Sequence, residues 1–376
     1  MSTKYLKVGT ELENFDFARR PIKSNDRVGG KTPYLGASGV VDSVEGFTHD
    51  GTYLCVSEDG ENLRSRKTPI AWVQKGKFWA NNHLHILGSL TENRLRFYAA
   101  ALNNSDIGSY ITGSAQPKLS QSSLSEILLP FFSAQQQDNI GSLLSTLDDK
   151  IAANSVVISS LTEFQSTLWE QETTSTTKKP LVNFVESHLG GTPKRSDESA
   201  WANEVAWASV KDMSAANHGI IVETAEGISI EASESARRLN ALPSGSVFLS
   251  ARGTVGLVTT NTIPCAINQS AYAFIPPEGK GPALRLAIES LVDRLRARAH
   301  GSTFSTITKQ DLRESSIPDL NSAEVEDLCP VLNDLEELRI AKAKESRTLA
   351  ATRDELLPLL MSGKITVADA EKRIAE

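Results

Sequence analysis

The side chains that could support catalysis in this chain are few and lack the partners that catalysis needs. His83 and His85 are two residues apart and could lie on one side of a strand. No cluster of cysteines or carboxylates accompanies them, so two ordinary strand residues are favoured over a metal site. Ser57 and Ser250 have no G-x-S-x-G sequence around them, which argues against a hydrolase nucleophile.

Motifs for nucleotide and methyl-transfer chemistry are also missing. The sequence contains no G-x-x-x-x-G-K-[ST] loop, which would cradle the phosphates of ATP. The segment 275–278, Ile-Pro-Pro-Glu, lacks the amide and the aromatic ring of the Asn/Asp-Pro-Pro-aromatic motif that adenine methyltransferases present to a flipped base. These absences favour a protein that binds without a reaction of its own. An enzyme whose catalytic residues these motifs do not reveal stays open as an alternative.

Length and composition are typical of an ordered protein with two domains. The 376 residues are 40% hydrophobic and 23% charged, and no apolar run is long enough to span a bilayer. The first residues, MSTKYLKVG, lack the apolar stretch of a signal peptide. Cys55, Cys265 and Cys329 have no C-x-x-C spacing, so neither a disulfide framework nor structural zinc is expected. We expect a cytoplasmic protein without a membrane partner.

A duplication runs through the chain. Two stretches 188 residues apart share small residues, apolar residues and a proline at the same offsets, namely Gly113, Ser114, Leu119, Leu124, Leu129 and Pro130 against Gly301, Ser302, Ile307, Leu312, Ile317 and Pro318. A period of 188 residues is far too long for a solenoid repeat and predicts one globular unit plus one long helix, occurring twice. Asn82 and His83 match Asn268 and Gln269 at an offset of 186, so the duplication should extend into the globular units. Such a chain should have an approximate two-fold axis and a partner with two sites.

Each copy of the repeat is followed by a heptad pattern. After Pro130, residues spaced by four and three form one predicted helical stripe, which comprises Ile140, Leu144, Leu147, Ile151, Asn154, Ile158, Leu161, Gln165 and Leu168. The second segment has leucines at equivalent positions, with polar residues between them: Leu328, Leu332, Leu335, Arg339, Lys342, Ser346, Leu349, Arg353 and Leu356. Such a stripe needs another helix to cover it, and a buried Asn154 would fix the register of the pair. We predict that the two helices pair with each other; helices that only join two domains, or a coiled coil between copies of the chain, are the alternatives.

The distribution of charge agrees with that pairing. The net charge is −7, but residues 1–131 and 173–320 carry +2 and 0, whereas 132–172 and 321–376 carry −5 and −4. Within the second helix, the stretch 339–353 has a net charge of +4 and would face the acidic first helix. The acidity therefore lies in the helices, and the globular segments stay compatible with a nucleic-acid partner.

The order of several short motifs resembles the specificity subunit of type I restriction-modification systems. In the second half these motifs are G-G-T-P-K-R at 190–195, W-x-S-x-K-D-M at 207–213, S-A-R-G-T-V-G at 250–256, N-Q at 268–269 and L-L-P-L-L-M-S-G-K-I at 356–365. The first half is similar through R-R-P-I-K at 19–23, P-Y-L-G-A-S-G at 33–39 and D-G-T-Y-L at 50–54. Together with the two helices, the similarity covers nearly the whole chain.

The resemblance implies an α/β (α+β) fold with two target-recognition domains, related by a pseudo-two-fold axis and joined by two long helices in an antiparallel coiled coil. Each domain would recognise one block of a bipartite, asymmetric sequence in double-stranded DNA, and the helices would set the gap between the blocks. The chain would catalyse nothing and hold no cofactor or metal. Its partners would be two methyltransferase subunits that use S-adenosylmethionine and motor-nuclease subunits that use ATP and magnesium. The chain departs from the family pattern by opening almost directly on its first recognition domain, so how its ends meet is not predicted.

The predicted boundaries follow from the repeat and the heptads. They are a first target-recognition domain at 1–131, a central helical region at 132–172, a linker at 173–179, a second target-recognition domain at 180–320 and a C-terminal helical region at 321–376. The two helical regions are expected to act as spacer helices and to dock the methyltransferase subunits.

Candidate DNA contacts are side chains suited to phosphates or to base edges. Arg, Lys, Ser and Thr bind phosphate oxygens, Arg and Lys also recognise guanine, and Asn and Gln recognise adenine. In the first half the candidates are Arg19, Arg20, Lys23, Lys31, Tyr34, Ser38, Arg64, Arg66, Lys67 and Asn81. In the second half they are Thr192, Lys194, Arg195, Lys211, Arg252 and Gln269. A solvated surface charge is the competing interpretation for each, and the target sequence is not predicted.

A structural coiled-coil adaptor without DNA recognition is the alternative function. It would give no sequence-dependent gel shift at moderate salt, even with the cognate methyltransferase subunit present. A recognition subunit predicts instead that exchanging one half changes one block of the target only.

Overall fold

The structure of the protein is a computed structural model that describes residues 5–298 and 305–375. Its internal contacts divide the chain into two compact units. Unit 1 comprises Met1–Lys150 and Leu349–Glu376, and unit 2 comprises Ile151–Thr348. Each long helix described below therefore contributes residues to both units.

The first part of the chain consists of short strands and helices that end in the first long helix. The strands are β1 (Tyr5–Lys7), β2 (Glu13–Asn14), β3 (Gly29–Gly36), β4 (Gly39–Val44), β5 (His49–Ser57), β6 (Ala71–Ala80), β7 (Leu84–Gly88) and β8 (Leu128–Pro130). The helices are α1 (Val8–Glu11), α2 (Asn62–Ser65), α3 (Glu92–Asn104), α4 (Gln121–Glu126) and the long α5 (Ala134–Thr173).

Unit 1 is organised around a six-stranded sheet in the order β2-β7-β5-β6-β3-β4. Strand β5 pairs antiparallel with β6 and β7, whereas β3 pairs parallel with β6. Leu54 and Val56 of β5 pack with helix α3 on one face, and Cys55 between them packs into a second apolar cluster on the other face. This alternation follows from the pleat of a strand, which directs successive side chains to opposite faces.

The second part of the chain likewise consists of short strands and helices that lead into a long helix, with more strands than the first part. The strands are β9 (Lys178–Pro180), β10 (Ser187–Leu189), β11 (Val205–Ala208), β12 (Ile220–Ile221), β13 (Glu226–Ile228), β14 (Val247–Ser250), β15 (Val258–Asn261), β16 (Cys265–Ile267), β17 (Ala271–Phe274) and β18 (Ser316–Pro318). The helices are α6 (Val210–Ala215), α7 (Ile230–Ser235), α8 (Gly281–Arg298), α9 (Lys309–Glu314), the long α10 (Ala323–Met361) and α11 (Val367–Ala375).

Unit 2 contains a five-stranded sheet, β10-β17-β14-β15-β12, and a three-stranded sheet, β13-β11-β16. Val247 and Leu249 of β14 are fully buried with residues of α8. Phe248, between them, is buried with Cys265 and Ile267 of β16, so it joins the two sheets. The core of unit 2 therefore lies on both faces of β14.

The predicted duplication is confirmed by matching elements in the two units. A short strand near the start of each pairs antiparallel with the strand that precedes the long helix, β1 with β8 and β9 with β18. A six-residue helix, α4 or α9, lies just before that second strand. Of the repeated motif, Gly301 and Ser302 lie outside the described residues.

The two long helices run antiparallel within unit 2. The amide of Asn154 donates to Glu345 at 3.1 Å and to Ser346 at 3.2 Å, and the amide of Gln165 donates to the carbonyl of Leu332 at 3.0 Å. Residue numbers thus rise along α5 while they fall along α10. Asn154 and Gln165 are buried, so both polar positions of the predicted stripe lie in the helix interface.

The predicted stripe residues differ in burial. The buried ones are Ile140, Leu144, Leu147, Asn154, Ile158, Gln165, Leu328, Leu332 and Leu356, and the half-buried ones are Ile151, Leu161, Leu168, Leu335 and Leu349. On α10 the charged residues Glu336 and Arg339 are buried, whereas the neighbouring Leu335 is only half-buried. The interface of α10 therefore includes charged residues that the apolar pattern treats as an interruption.

A buried polar network joins α5, α8 and α10 in unit 2. The carboxylate of Glu336 accepts from the guanidinium of Arg339, from Arg285 at 3.4 Å and from Gln165 at 3.3 Å. Gln165 in turn accepts from Arg285 at 2.7 Å, and Arg339 donates to Thr162 of α5 at 2.9 Å. Burial raises the pKa of Glu336, but the two guanidinium groups outweigh it and hold the pKa below the ordinary value.

In unit 1 the same two helices share an apolar core and are joined by an ion pair. Leu356 and Leu360 of α10 are buried with Ile140 and Leu144 of α5. Arg353 lies 2.6 Å from Asp148 of α5, as the opposite charges predict. Other basic residues of α10 are paired elsewhere, since Arg347 contacts Glu223 and Lys342 contacts Glu345.

None of the helices within residues 5–298 and 305–375 combines the length and the apolar character needed to cross a lipid bilayer.

We predict that Glu336→Ala destabilises unit 2 strongly. Removing the carboxylate leaves two buried guanidinium groups without their shared partner, which typically costs about 3–5 kcal/mol. Urea denaturation measures the free energy of unfolding. Glu337→Ala is the matched control, because Glu337 is exposed and forms no ion pair among the described residues, so its loss should change stability by less than about 0.5 kcal/mol. Equal stability of the two variants would contradict the structural role of Glu336.

Candidate nucleic-acid interface

In unit 1 several candidate contacts lie where two parallel strands end. Strands β3 and β6 are paired in parallel, with Tyr34 opposite Trp79 and Leu35 opposite Ala80, so both end at the same edge of the sheet. The segment 37–38 follows β3 and the segment 81–83 follows β6. We call these two segments edge 1. Residues 20–23 are included in it, because the N–H of Arg20 donates to the carbonyl of Ala80 at 3.1 Å.

The turn after β6 is fixed by Asn81. Its backbone N–H donates to the carbonyl of Leu35 at 3.2 Å, and its side-chain oxygen accepts from the N–H of His83 at 2.8 Å. Asn81 itself is buried, whereas Asn82, Ser38 and Arg20 are exposed. A rigid backbone at edge 1 therefore presents polar side chains to solvent.

A network of charged side chains lies beneath edge 1. Asp16 is 2.6 Å from Nδ1 of His85 and accepts from the N–H of Ile86 at 2.8 Å. Glu58 is 2.5 Å from Arg19 and 3.0 Å from Lys118. Burial raises the pKa of both carboxyl groups, but these hydrogen bonds and the neighbouring positive charges outweigh it, so both pKa values lie below their ordinary range. Arg19, a candidate DNA contact, is thus held inside the unit.

Unit 2 has an edge of the same construction. Strands β11 and β16 are parallel, with Trp207 opposite Ala266 and Ala208 opposite Ile267. The N–H of Asn268 donates to the carbonyl of Ala208 at 3.0 Å. We call residues 191–195, 209–211, 252 and 268–270 edge 2.

A glycine brings two candidate residues of edge 2 together. A Cβ at Gly190 would overlap the carbonyl oxygens of Ile267 and Asn268, so only glycine allows this close approach of the two backbones. As a result, the hydroxyl of Thr192 donates to the side-chain oxygen of Gln269. The G-G-T-P-K-R motif therefore positions its threonine against the amide of the N-Q pair.

Arg195 of edge 2 is engaged by its own unit. Its guanidinium forms two hydrogen bonds with Glu226, at 2.6 and 3.0 Å, and stacks 3.7 Å from the ring centre of Trp201. The hydrogen bonds from Arg195 lower the pKa of Glu226 below its ordinary value. Since Glu226 partly neutralises it, Arg195 offers less free positive charge than its type suggests.

Lys194, Lys211 and Arg252 are the freer cations of edge 2. The N–H groups of Ala251 and Arg252 both donate to the carbonyl of Ser270, at 2.7 and 3.2 Å, which places Arg252 beside the Asn268 turn. Lys211 lies in the first turn of α6, which begins at the capping box of Ser209. Lys194, Lys211 and Arg252 are exposed and form no ion pair with any residue that the structure describes.

Other candidate residues of the first half lie elsewhere or point inward. Tyr34 is 1% exposed, and its hydroxyl contacts the backbone of Ile22. Arg66 donates to three carbonyls at the end of α3, and Arg64 donates to the carbonyls of Gly113 and Ser114. Lys31 lies at the start of β3, remote from edge 1, and Lys67 follows Arg66. For Tyr34, Arg64 and Arg66 these internal bonds indicate support of the fold. Direct contact with DNA stays a prediction for the candidate residues, whose exposed members include Arg20, Lys23, Lys31, Ser38, Lys67, Lys194, Lys211, Arg252 and Gln269.

The offset of 186 between the two Asn-containing turns needs a correction. The backbone hydrogen bonds make Asn81 equivalent to Asn268, an offset of 187, so the counterpart of Gln269 is Asn82 and not His83. The sequence-based candidate contacts do not include Asn82. The sequence indicates this position through the two consecutive asparagines before β7. Either of them can be aligned with Asn268, and the two alignments differ by one residue.

The side chains first considered for catalysis all have internal partners. His85 is bonded to Asp16 and to the carbonyl of Leu119, and His83 lies 2.6 Å from Asp59. The hydroxyls of Ser57 and Ser250 donate to backbone carbonyls. Among the described residues, no group of three or more His, Cys, Asp or Glu side chains could hold a metal ion.

Comparison with known proteins identifies the family. The family model described as the type I restriction modification DNA specificity domain matches residues 10–163 and again residues 176–321. A Haemophilus influenzae protein assigned as a type I restriction enzyme specificity subunit is 36% identical over 130 residues, covering 35% of this chain and 33% of the relative. The specificity subunit of the MjaIX type I enzyme of Methanocaldococcus jannaschii is 25% identical over 175 residues, covering 46% of this chain and 40% of the relative.

A solved structure shows the same fold over nearly the whole chain. The S subunit of the type I restriction-modification system of M. genitalium superposes with a TM-score of 0.64 and covers 96% of both chains, at 14% sequence identity. The α/β architecture with two repeated domains and two long helices is therefore confirmed. The resemblance inferred from the short motifs is confirmed by the family match.

We predict that the Asp16 network makes unit 1 sensitive to acid. Because folding lowers the pKa of Asp16, its contribution to stability is present above the ordinary carboxyl pKa of 3.8 and is lost as the pH falls through the lowered value. Asp16→Asn should reduce the free energy of unfolding at pH 7 by about 1.5–3 kcal/mol, and the difference should narrow towards pH 3. Urea denaturation between pH 3 and 7 tests this, with the exposed Asp50→Asn as control. A difference between wild type and Asp16→Asn that does not change with pH would refute the assignment.

Proposed function

This chain belongs to the type I restriction-modification DNA specificity family, and we propose that it is the DNA-recognition subunit of such a complex. Each unit recognises one block of a bipartite, asymmetric sequence in double-stranded DNA. The curated relatives align with this chain over 33% and 40% of their own length, so the role of the whole subunit is inferred for this chain from its own two edges.

The observation that carries the proposal is that one construction occurs twice. Edge 1 and edge 2 each follow a parallel strand pair, and an asparagine, Asn81 or Asn268, fixes the turn in each through its backbone N–H and its side-chain oxygen. Exposed polar and positively charged side chains project from that fixed backbone, as direct recognition of base edges and phosphates requires. Two edges of one kind in one chain suit a target with two blocks.

The charges near the edges suit a polyanion. Arg20 and Lys23 at edge 1, and Lys194, Lys211 and Arg252 at edge 2, are exposed without an ion pair among the described residues. These few cations neutralise only part of the phosphate charge of a DNA site. We therefore expect weak binding by the chain alone and tighter binding in the assembled complex.

We propose that the paired long helices set the gap between the two blocks and dock the partner subunits. Helices α5 and α10 each carry residues of both units, and their pairing in unit 2 is fixed by buried polar contacts. The partners are two methyltransferase subunits that use S-adenosylmethionine and motor-nuclease subunits that use ATP and magnesium, acting in the cytoplasm. The chain itself contributes recognition and no catalysis.

Exchanging recognition segments tests the function directly. Replacing residues 13–120 with the corresponding segment of a family member that has a different target should change one block of the methylated motif, because edge 1 lies within that segment. Replacing residues 187–308 in the same way should change the other block. Mapping of methylated adenines in cells that carry the partner subunits provides the measurement.

The outcomes of this exchange separate the two candidate functions. A bipartite motif that changes in one block, with the gap and the other block unchanged, is the expected result. An adaptor without DNA recognition would leave both blocks unchanged in both exchanges. A change of both blocks in a single exchange would also contradict the assignment of one block to each unit.

We predict that Arg252→Ala lowers the affinity for DNA and makes that affinity less sensitive to the salt concentration. Loss of one phosphate contact lowers the slope of log affinity against log salt by about 0.9. A gel-shift titration of the complex at salt concentrations from about 50 to about 200 mM measures both effects. Arg313→Ala is the control, since Arg313 is an exposed arginine of α9 in the same unit, outside edge 2. Equal slopes for the two variants would remove Arg252 from the interface.

A further inference from the structure

The turns of edge 1 and edge 2 share their backbone hydrogen bonds position by position. Asn81 and Asn268 each donate to the carbonyl at the end of the neighbouring parallel strand, at 3.2 and 3.0 Å. Their side-chain oxygens accept from the N–H two residues later, at 2.8 and 3.1 Å. The carbonyl of that later residue, His83 or Ser270, accepts from the N–H of the residue after β5 or β14, at 2.9 and 2.7 Å. The two turns are therefore equivalent, and the residue between the matched positions is Asn82 in one unit and Gln269 in the other.

The middle residue of each turn is exposed and is not needed to hold the turn. Asn82 makes no hydrogen bond to any residue that the structure describes, and Gln269 makes one through its side-chain oxygen, from the hydroxyl of Thr192. The flanking asparagines, in contrast, are engaged as described. The fold thus accounts for Asn81 and Asn268, whereas it gives no internal reason for the amide of Asn82 and uses only the oxygen of the Gln269 amide.

Both middle residues carry the same chemical group. A carboxamide presents one acceptor and two donors in a plane, which matches the N7 acceptor and the N6 donor of adenine in the major groove. The Thr192 hydroxyl uses only one lone pair of the Gln269 oxygen, so the amide N–H donors and the second lone pair stay available. The contact with Thr192 therefore orients the group without blocking it.

Neighbouring side chains at each edge suit the sugar-phosphate backbone. The N–H of Arg20 donates to the carbonyl of Ala80, directly before the Asn81 turn, and Ser38 lies in the segment that follows the adjacent strand β3. At edge 2, Arg252 lies beside the turn through its bond to Ser270. An amide flanked by a cation is an arrangement in which the cation contacts phosphate and the amide contacts a base.

We propose that Asn82 and Gln269 are a matched pair of specificity-determining residues, one in each unit, and that each recognises an adenine of an A·T pair in the block bound by its own unit. This inference rests on the proposed function of the chain and adds to it a named residue and a base for each block. The role of Asn82 follows from its position, because it occupies the same place in the edge 1 turn that Gln269 occupies in the edge 2 turn.

Alanine substitutions test the pair in the intact complex. Asn82→Ala should abolish the preference for A·T at one position of one block, lowering discrimination against the other base pairs by about 5- to 150-fold. Gln269→Ala should do the same at one position of the other block. The probe is a library of duplexes randomised at every position of the wild-type motif, bound by the complex with its methyltransferase subunits and sequenced before and after selection.

Matched controls use exposed asparagines of the same units. Asn104 lies at the end of α3, near the start of strand β6, to which its neighbour Asn103 bonds. The Asn81 turn lies at the other end of this ten-residue strand, so Asn104 is outside edge 1. Asn203 precedes β11, whose far end adjoins the Asn268 turn. Asn104→Ala and Asn203→Ala should leave the selected motif as in wild type. Asn82→Ser and Gln269→Ser repeat the test with a small polar side chain, should an alanine variant fold poorly.

Each result of the selection supports or overturns the proposal. Relaxation at one A·T position, in a different block for each variant, supports it. A wild-type motif that both variants retain, relaxation of the same block by both, or relaxation at a G·C position overturns it while the proposed function stands. A wild-type complex that selects no motif at all defeats the proposed function, and the inference with it.

Discussion

The parallel pairing of two neighbouring strands is the constraint on which the candidate contacts of edge 1 and edge 2 depend. Because β3 and β6 run in the same direction, as do β11 and β16, the segments that follow them meet at one edge of each unit. Antiparallel pairing of the same strands would send those segments to opposite ends of the sheet. A backbone hydrogen bond across the strand pair then fixes the turn at each edge, so exposed side chains of otherwise irregular loops keep a defined position.

Buried charge has a comparable role in the helices. A stripe of leucines alone would pair in several registers, since one leucine packs against another almost as well as against the next. Glu336 of α10, however, meets Gln165 of α5 and Arg285 of α8 in one register only, and the same register lets Arg339 of α10 donate to Thr162 of α5. The cost of separating these groups thus selects a single pairing of α5 and α10 in unit 2. We interpret the polar residues in the middle of α10 as what specifies the pair.

Features with a period could be predicted from the sequence, and features that depend on distant pairing could not. The heptad stripe is a local pattern, and the 188-residue repeat appears when the sequence is compared with itself. Both the long helices and the duplication can therefore be predicted from the sequence. Residue type alone does not show whether an arginine is free: Arg19 is held by Glu58, and Arg195 by Glu226, through contacts across 39 and 31 residues. The doubled asparagine at 81 and 82 allowed an alignment slip of one residue, which only the hydrogen bonds of the turn resolve.

The separation between buried Asn81 and exposed Asn82 has a consequence for how such a chain changes over generations. Mutation of the first residue breaks the turn, whereas mutation of the second alters no hydrogen bond that the structure describes. Selection can therefore replace the outer residue by a single codon change without endangering folding. Adjacent positions of one loop are in this way placed under opposite pressures, one towards constancy and the other towards diversity.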